Sequence, residues 1–270
     1  MDTNKTIKKL KTFTILNIIL YAIMLISLVI LEENVFTLLF PDAKFKGLSF
    51  FLTMLLVLLV SAVYFTFYFL IQMNIANILK KQCDPIKYKE VYFALSPKNN
   101  PVGKKLVEIT AEFMRGNFDL AKTLCFDVIK NESNINLKQN AYIVLSQIFL
   151  VENDVENLNY LRQSANILAN NPKLGKFYVH IAESATVFIE FLVGDPTIML
   201  KAYENARQIC KNKCDLYLSL YYYALALLKT NNDEKAVNIF EELMNNANGL
   251  FVAQYSKLAL LYYATGEMKR

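Results

Sequence analysis

Two long apolar runs without a charged residue stand near the start of the chain. The first, FTILNIILYAIMLISLVIL, covers Phe13–Leu31, and the second, LSFFLTMLLVLLVSAVYFTFYFLI, covers Leu48–Ile71. About 20 apolar residues in a helix cross the roughly 30 Å hydrocarbon core of a bilayer, and in lipid a single segment satisfies its backbone only as a helix. The pattern therefore predicts two transmembrane helices.

Other interpretations of these runs fit less well. A cleaved secretory signal would explain the lysines before Phe13, but the run is too long for a typical signal core and no small-residue cleavage site follows it. A buried helix of a soluble protein would not need so long an uncharged run as the second one. Four polar residues within the runs are predicted to pack the two helices together: Asn17, Ser27, Ser61 and Thr66.

After residue 100 the pattern becomes one of amphipathic helices interrupted by short polar turns. In ALALLKTNNDEKAVNIFEEL (224–243) an apolar helical period that includes Leu227 stops at the polar stretch 230–233 and resumes with Ala236. We interpret this break as a helical hairpin whose second helix is capped by an Asx side chain. Similar turns are predicted at four other places: Gly116, Asn153, Gly194 and Gly266. The resulting intervals of about 35 to 41 residues predict an α-solenoid with one helix pair per period.

These hairpins resemble tetratricopeptide repeats over roughly residues 102–270. The resemblance is carried by large, small and aromatic positions on the first helix and by Asn or Gly at the turn. Three sets of residues show it: Tyr142, Leu145, Ser146, Phe149 and Asn153; Leu220, Tyr223, Ala224, Leu227 and Asn231; Tyr255, Leu258, Ala259, Tyr262 and Gly266. The repeat around Gly116 keeps only the turn and Ala121, and residues 173–209 have longer helices than the repeat expects. The resemblance implies an all-α fold, with a two-helix transmembrane hairpin followed by a TPR-like α-solenoid of about four helical hairpins.

The chain accordingly divides into six parts. They are a cytoplasmic tail (1–12), the first transmembrane helix (13–31), a short extracytoplasmic loop (32–47), the second transmembrane helix (48–72), a juxtamembrane linker (73–101) and the repeat domain (102–270). In the linker we expect the second helix to continue to about Gln82, a new helix to start near Pro85, and residues 96–103 to form a loop.

The distribution of charge sets the predicted orientation. Four lysines precede the first run and four closely follow the second, whereas the loop between them holds two basic and three acidic residues. The positive-inside rule therefore places both termini in the cytoplasm of a multi-pass membrane protein. Residues 1–81 hold eight basic and four acidic residues, and the remainder holds 21 and 20. The near-neutral remainder lacks the basic surface that nucleic-acid binding requires.

The sequence offers no catalytic, cofactor-binding or metal-binding motif. It contains no G-x-S-x-G, no glycine-rich phosphate loop and no H-E-x-x-H, so we expect neither an enzyme nor a small-molecule substrate. The lone histidine, His180, lies in an apolar helical run and is interpreted as structural. Four cysteines are expected to be free thiols on the cytoplasmic side: Cys83, Cys125, Cys210 and Cys214. Cys210 and Cys214 would share a helix face if the helix is unbroken.

What remains is a surface for a protein or peptide partner. The resemblance implies a concave face lined by the first helices of the repeats. Its predicted partner-binding residues are Asn140, Ile143, Gln147, Leu218, Tyr221, Leu225 and Lys229. In the alternative interpretation, Leu218 and Leu225 simply belong to the core. Tyr262 and Tyr263 either pack on the preceding repeat or are covered by a partner chain.

Two functions follow from this interpretation. The first is a membrane-anchored adaptor whose cytoplasmic solenoid binds a peptide or helix of a partner in a membrane-associated complex. The alternative is an accessory or immunity-type subunit whose transmembrane helices pack on a transporter or secretion complex, with the solenoid as a regulatory element. No cofactor is expected in either case.

Overall fold

The computed structural model describes residues 2–31, 46–96, 100–170 and 175–265. Within those ranges the regular structure is helical without a strand, which confirms the all-α prediction. The helices, numbered in chain order, are α1 (Thr3–Leu31), α2 (Lys46–Gln82), α3 (Pro85–Leu95), α4 (Pro101–Met114), α5 (Phe118–Asn131), α6 (Ile135–Val151), α7 (Val155–Ala169), α8 (Gly175–Val193), α9 (Thr197–Tyr203), α10 (Ala206–Ile209), α11 (Lys213–Lys229), α12 (Asp233–Asn246) and α13 (Phe251–Thr265). The chain forms two compact units, Met1–Ala76 and Asn77–Arg270, and we call the second the helical body.

The N-terminal unit contains the two apolar segments. Both α1 and α2 are long and apolar enough to cross a bilayer, and most of their apolar side chains are exposed in this structure. The helix α1 begins at Thr3, so the predicted tail 1–12 is helical rather than a separate segment. Most of the predicted loop 32–47 lies outside the described residues.

Polar and aromatic groups hold α1 against α2. The Asn17 amide donates to the Tyr64 carbonyl at 3.5 Å, and the Tyr21 and Ser61 hydroxyls lie 3.4 Å apart. The rings of Tyr21 and Tyr64 pack with centroids 4.5 Å apart. The prediction that Asn17 and Ser61 join the two helices is confirmed. Ser27 and Thr66 instead donate to carbonyls of their own helices, where hydroxyls often bond four residues back.

A sharp bend separates α2 from α3. The helix α2 ends at Gln82, as predicted, because Cys83 adopts the left-handed conformation (φ +54°) and its amide bonds the Leu79 carbonyl. Asp84 then caps α3, since its carboxylate accepts from the Lys87 amide at 2.9 Å.

The loop predicted at 96–103 is too long. Pro101 begins α4, and the side chain of Asn100 caps this helix by accepting from the Gly103 amide at 3.0 Å. Proline is compatible with the first turn of a helix because the missing N–H would have no partner within that helix.

Three turns of the helical body share one backbone geometry. Gly116, Asn153 and Asn231 each have positive φ, and each follows the last turn of a helix. In every case the amide of this residue bonds the carbonyl three residues back, and the next amide bonds the carbonyl five residues back. This is the Schellman arrangement, which uses Gly or Asn because the left-handed conformation crowds most other side chains. The predicted turns at these three positions are confirmed.

Other local predictions are only partly correct. The Asn232 side chain does not cap α12, because its amide turns back to the Thr230 carbonyl at 3.1 Å. The turn at Gly194 is present and α8 is long, as expected. The segment after it, however, consists of two short helices, α9 and α10, rather than one long helix. The predicted turn at Gly266 lies outside the described residues.

The helical body closes on itself. Consecutive helices pack together, and alternate helices such as α4 and α6, or α11 and α13, also pack side by side. In addition, Phe251 at the start of α13 meets Phe113 and Phe118 from α4 and α5, with ring centroids 5.4 and 5.1 Å apart. The helices α4 and α5 are therefore joined to α13 through an aromatic core, which an open solenoid with contacts only between neighbours would not show.

The turn at Gly116 makes room for this contact. A Cβ atom on Gly116 would lie 2.9 Å from the Cβ of Phe251, and the residue has φ +86°. Glycine is therefore required twice here, once for the backbone conformation and once for the close approach of α13.

Candidate partner-binding surface

The predicted groove residues of α11 fall into two groups in the structure. Leu218 and Tyr221 are 8% and 5% exposed, so the prediction that they line an open groove is wrong. The ring of Tyr221 packs against Phe240, Phe251 and Tyr255 at centroid distances of 6.0 to 6.4 Å. The closing of α13 over α11 removes this surface from solvent.

The electrostatics of this region are those of a core. Burial raises the pKa of the Tyr221 phenol well above its ordinary value, so it remains neutral at physiological pH. Among the described residues, no group hydrogen-bonds to the buried hydroxyl of the neighbouring Tyr222. Both rings pack within the core.

Lys229, at the end of α11, caps another helix. Its ammonium group donates to the carbonyls of Phe191 and Leu192 at 2.8 and 3.2 Å, and lies 4.4 Å from the centroid of the Phe191 ring. These carbonyls end α8, where a positive charge is favourable. Lys229 remains an exposed residue, and partial desolvation of its ammonium group at this helix end lowers its pKa. Leu225 is half-buried against the core, in agreement with the alternative interpretation that it belongs there.

The predicted groove residues of α6 remain accessible. Ile143 is 37% exposed, and Asn140 and Gln147 are partly exposed. Spacings of three and four residues place them on one face of the helix. The Asn140 side-chain amide donates to the Asn136 carbonyl at 2.9 Å. The structure therefore leaves one small mixed patch from the predicted set.

A larger apolar surface lies on α13. Leu258, Leu261 and Tyr262 are 46%, 58% and 46% exposed, and their spacing puts them on one face. Of the repeat-pattern positions on this helix, Leu258 and Tyr262 are exposed, whereas Ala259 is buried. Tyr263 is also 44% exposed, so it does not pack fully on the preceding helices.

The sequence could not easily identify this face. Both faces of α13 carry apolar residues at helical spacing, and the buried one is formed by Phe251, Val252 and Ala259. Apolar periodicity marks a helix but does not indicate which of two apolar faces meets the rest of the protein.

The candidate reactive side chains do not form a common site. His180 is exposed on α8, with its Nδ1 atom 3.2 Å from the Glu183 carboxylate. Cys210 and Cys214 do not share a helix, because Asn212 caps α11 between them. The Cys210 sulfur lies 3.6 Å from the Ser219 hydroxyl, while Cys214 donates to the Leu79 carbonyl. Within the described ranges, His, Cys, Asp and Glu side chains form no group of three suited to a metal ion.

Comparisons with protein-family models, curated proteins and solved structures found no match for this chain.

Proposed function

We propose that this protein is a membrane-anchored adaptor. Its helices α1 and α2 form a multi-pass anchor with both termini in the cytoplasm, and its helical body binds an amphipathic helix of a partner in a membrane-associated complex. The observation that carries the proposal is the exposed apolar face of α13, formed by Leu258, Leu261 and Tyr262.

The character of the two long helices supports the anchor. Asn17 and Ser61 hydrogen-bond between the helices, and many outward residues are apolar, among them Ile18, Leu58 and Phe65 with exposures of 51% to 66%. A surface of this composition is stable in lipid and costly in water. The lysines that flank the apolar segments favour a cytoplasmic location for both ends.

The chemistry of the α13 face supports a helical partner. Soluble protein surfaces rarely keep a contiguous group of large apolar side chains without a binding role. A row of residues spaced three and four apart matches the spacing of an apolar row on a second helix. Tyrosine suits such a contact because its ring supplies apolar area while its hydroxyl remains hydrated. The accessible patch on α6, with Ile143 at its centre, is a second surface at which a partner could be captured.

The proposal is tested by site-specific photo-crosslinking in intact cells. A photoreactive residue at Tyr262 is expected to capture one defined partner, whereas the same residue at exposed Glu156 on α7 serves as the surface control. Leu261→Asp should abolish capture from Tyr262, because a carboxylate would be buried against the partner helix. Lys257→Gln, on the same helix, should leave capture unchanged.

Other outcomes would overturn the proposal. Capture from Ile143 but not from Tyr262 would locate the binding surface on α6. Capture only from a probe at Phe65, on the outward face of α2, would favour the accessory-subunit function in which the membrane helices carry the interaction. If capture from Tyr262 persisted in Leu261→Asp, partner binding would not depend on the apolar face of α13.

A further inference from the structure

Three segments distant in sequence meet at the bend after α2. The Leu79 carbonyl accepts from the Cys83 amide at 3.0 Å and from the Cys214 thiol at 2.9 Å. The Cys214 sulfur and the Cys83 backbone therefore converge on one oxygen atom. Gly249, between α12 and α13, completes the contact, since a Cβ on this glycine would lie 2.8 Å from the Cys83 carbonyl oxygen.

Both cysteines are almost completely buried in this contact. Cys83 and Cys214 are each 2% exposed, so their position is fixed by packing. Cys83 also has an uncommon backbone conformation for a residue with a side chain, with φ +54°. This conformation places Cys83 at the end of α2, beside the N-terminal turn of α11 that carries Cys214, and both residues contact the Leu79 carbonyl there.

We propose that Cys83 and Cys214 form a site of reversible disulfide modification. Oxidation would tie the end of α2 covalently to the start of α11. The other two thiols lie outside this contact: Cys125 is buried within α5, and the Cys210 sulfur lies 3.6 Å from the hydroxyl of Ser219.

The chemistry requires a hydroperoxide as the oxidant. The Cys83 thiolate attacks one peroxide oxygen, the O–O bond breaks, and the departing hydroxide takes a proton to become water. The Cys214 thiol then gives up its proton and attacks the sulfenic sulfur of Cys83; the S–S bond forms, the S–O bond breaks and a second water leaves. Two thiols lose two electrons, one hydrogen peroxide molecule gains them, and a dithiol such as dithiothreitol reverses the reaction.

The electrostatics assign the first step to Cys83. The polar Cys214 side chain, together with the charge of Lys213, holds the pKa of Cys83 below its ordinary value despite burial. The pKa of the Cys214 thiol is raised by the same contact and by burial, and burial alone raises the pKa of Cys125 to about 12. Because the thiolate is the nucleophile, Cys83 should react first.

Peptide mapping of the full-length chain in detergent micelles tests the proposal. Trypsin places the four cysteines in four different peptides, because Lys211 and Lys213 separate Cys210 from Cys214. After hydrogen peroxide and alkylation of free thiols, we expect the peptide 82–87 linked to the peptide 214–229, with the loss of two hydrogen atoms from the intact mass. Dithiothreitol should release the link. Free thiol at Cys83 should disappear on the order of tenfold faster than at Cys125.

Variants provide matched controls. Cys83→Ser should abolish the link, whereas Cys125→Ser and Cys210→Ser should leave it intact. A link between the peptides that contain Cys210 and Cys214 would overturn the proposal. It would also be overturned if both Cys83 and Cys214 were fully alkylated on denaturation after peroxide treatment. Both of these results come from the wild-type chain, so they do not depend on whether a variant folds.

Discussion

Removing the ring of Phe251 should loosen the helical body around α13 and also around α4 and α5. This side chain is 1% exposed and meets the rings of Phe113, Phe118, Tyr221 and Tyr255. Replacing a buried Phe by Ala costs about 3–5 kcal/mol, because apolar contact is lost and a cavity remains. A loss of that size raises the unfolded fraction by a factor of about 100 or more, since each 1.4 kcal/mol corresponds to a factor of ten.

The assay is hydrogen exchange with mass spectrometry on the full-length protein in micelles. In Phe251→Ala, we expect faster exchange in α13 and also in peptides around Phe113 and Phe118, although these lie far away in sequence. The matched control is Leu258→Ala, on the same helix but 46% exposed, which should change stability by no more than about 0.5 kcal/mol.

One result would refute this reasoning. If Phe251→Ala increased exchange only in α11, α12 and α13, then α4 and α5 would not be energetically coupled to α13. The aromatic contact would then contribute less to the free energy of unfolding than predicted. Each helix would be stabilised only by the helices next to it in the chain.

Three further predictions concern single side chains. Burial opposes ionisation of Glu112, but hydrogen bonds from Lys89 and Asn117 outweigh it and hold its pKa below the ordinary 4.5. The stability that Glu112 contributes is therefore present above about pH 4.5 and is lost as the pH falls through its pKa in the folded protein. In Glu112→Gln, the free energy of unfolding should depend less steeply on pH in this acid range, as measured by circular dichroism. Lys229→Met should lower the free energy of unfolding by about 1 kcal/mol, because the carbonyls at the end of α8 lose their donor; denaturant unfolding measures this. Asn231→Ala should cost about 1 kcal/mol of that free energy whereas Asn231→Gly should not, because φ at this position is +58°.

Local features of this fold could be predicted because single residues determine them. Gly116, Asn153 and Asn231 mark turns since few other residues adopt positive φ at low cost, and all three turns occur where the sequence indicates them. Two uncharged runs similarly indicate two long apolar helices whatever the rest of the chain does.

The candidate surface could not be predicted in the same way. Apolar periodicity gives Tyr221 a place on an inward-facing row of α11, but an open groove and a closed core use the same period. The distinction depends on Phe251, which is distant in sequence and closes the body by meeting Phe113 and Phe118. Long-range contacts of this kind leave no local signal in a single sequence. They also determine which face of α13 is buried and which remains exposed.

The closure also sets an order of events during synthesis. Phe113 and Phe118 are translated long before Phe251, and at roughly 5–20 residues per second the interval lasts many seconds. During that interval the two rings lack the contact that shields them in the finished protein. The nascent chain therefore exposes an aromatic surface until α13 leaves the ribosome. A ribosome stalled between α12 and α13 should hold a chain that general chaperones bind, and release of α13 should end that binding.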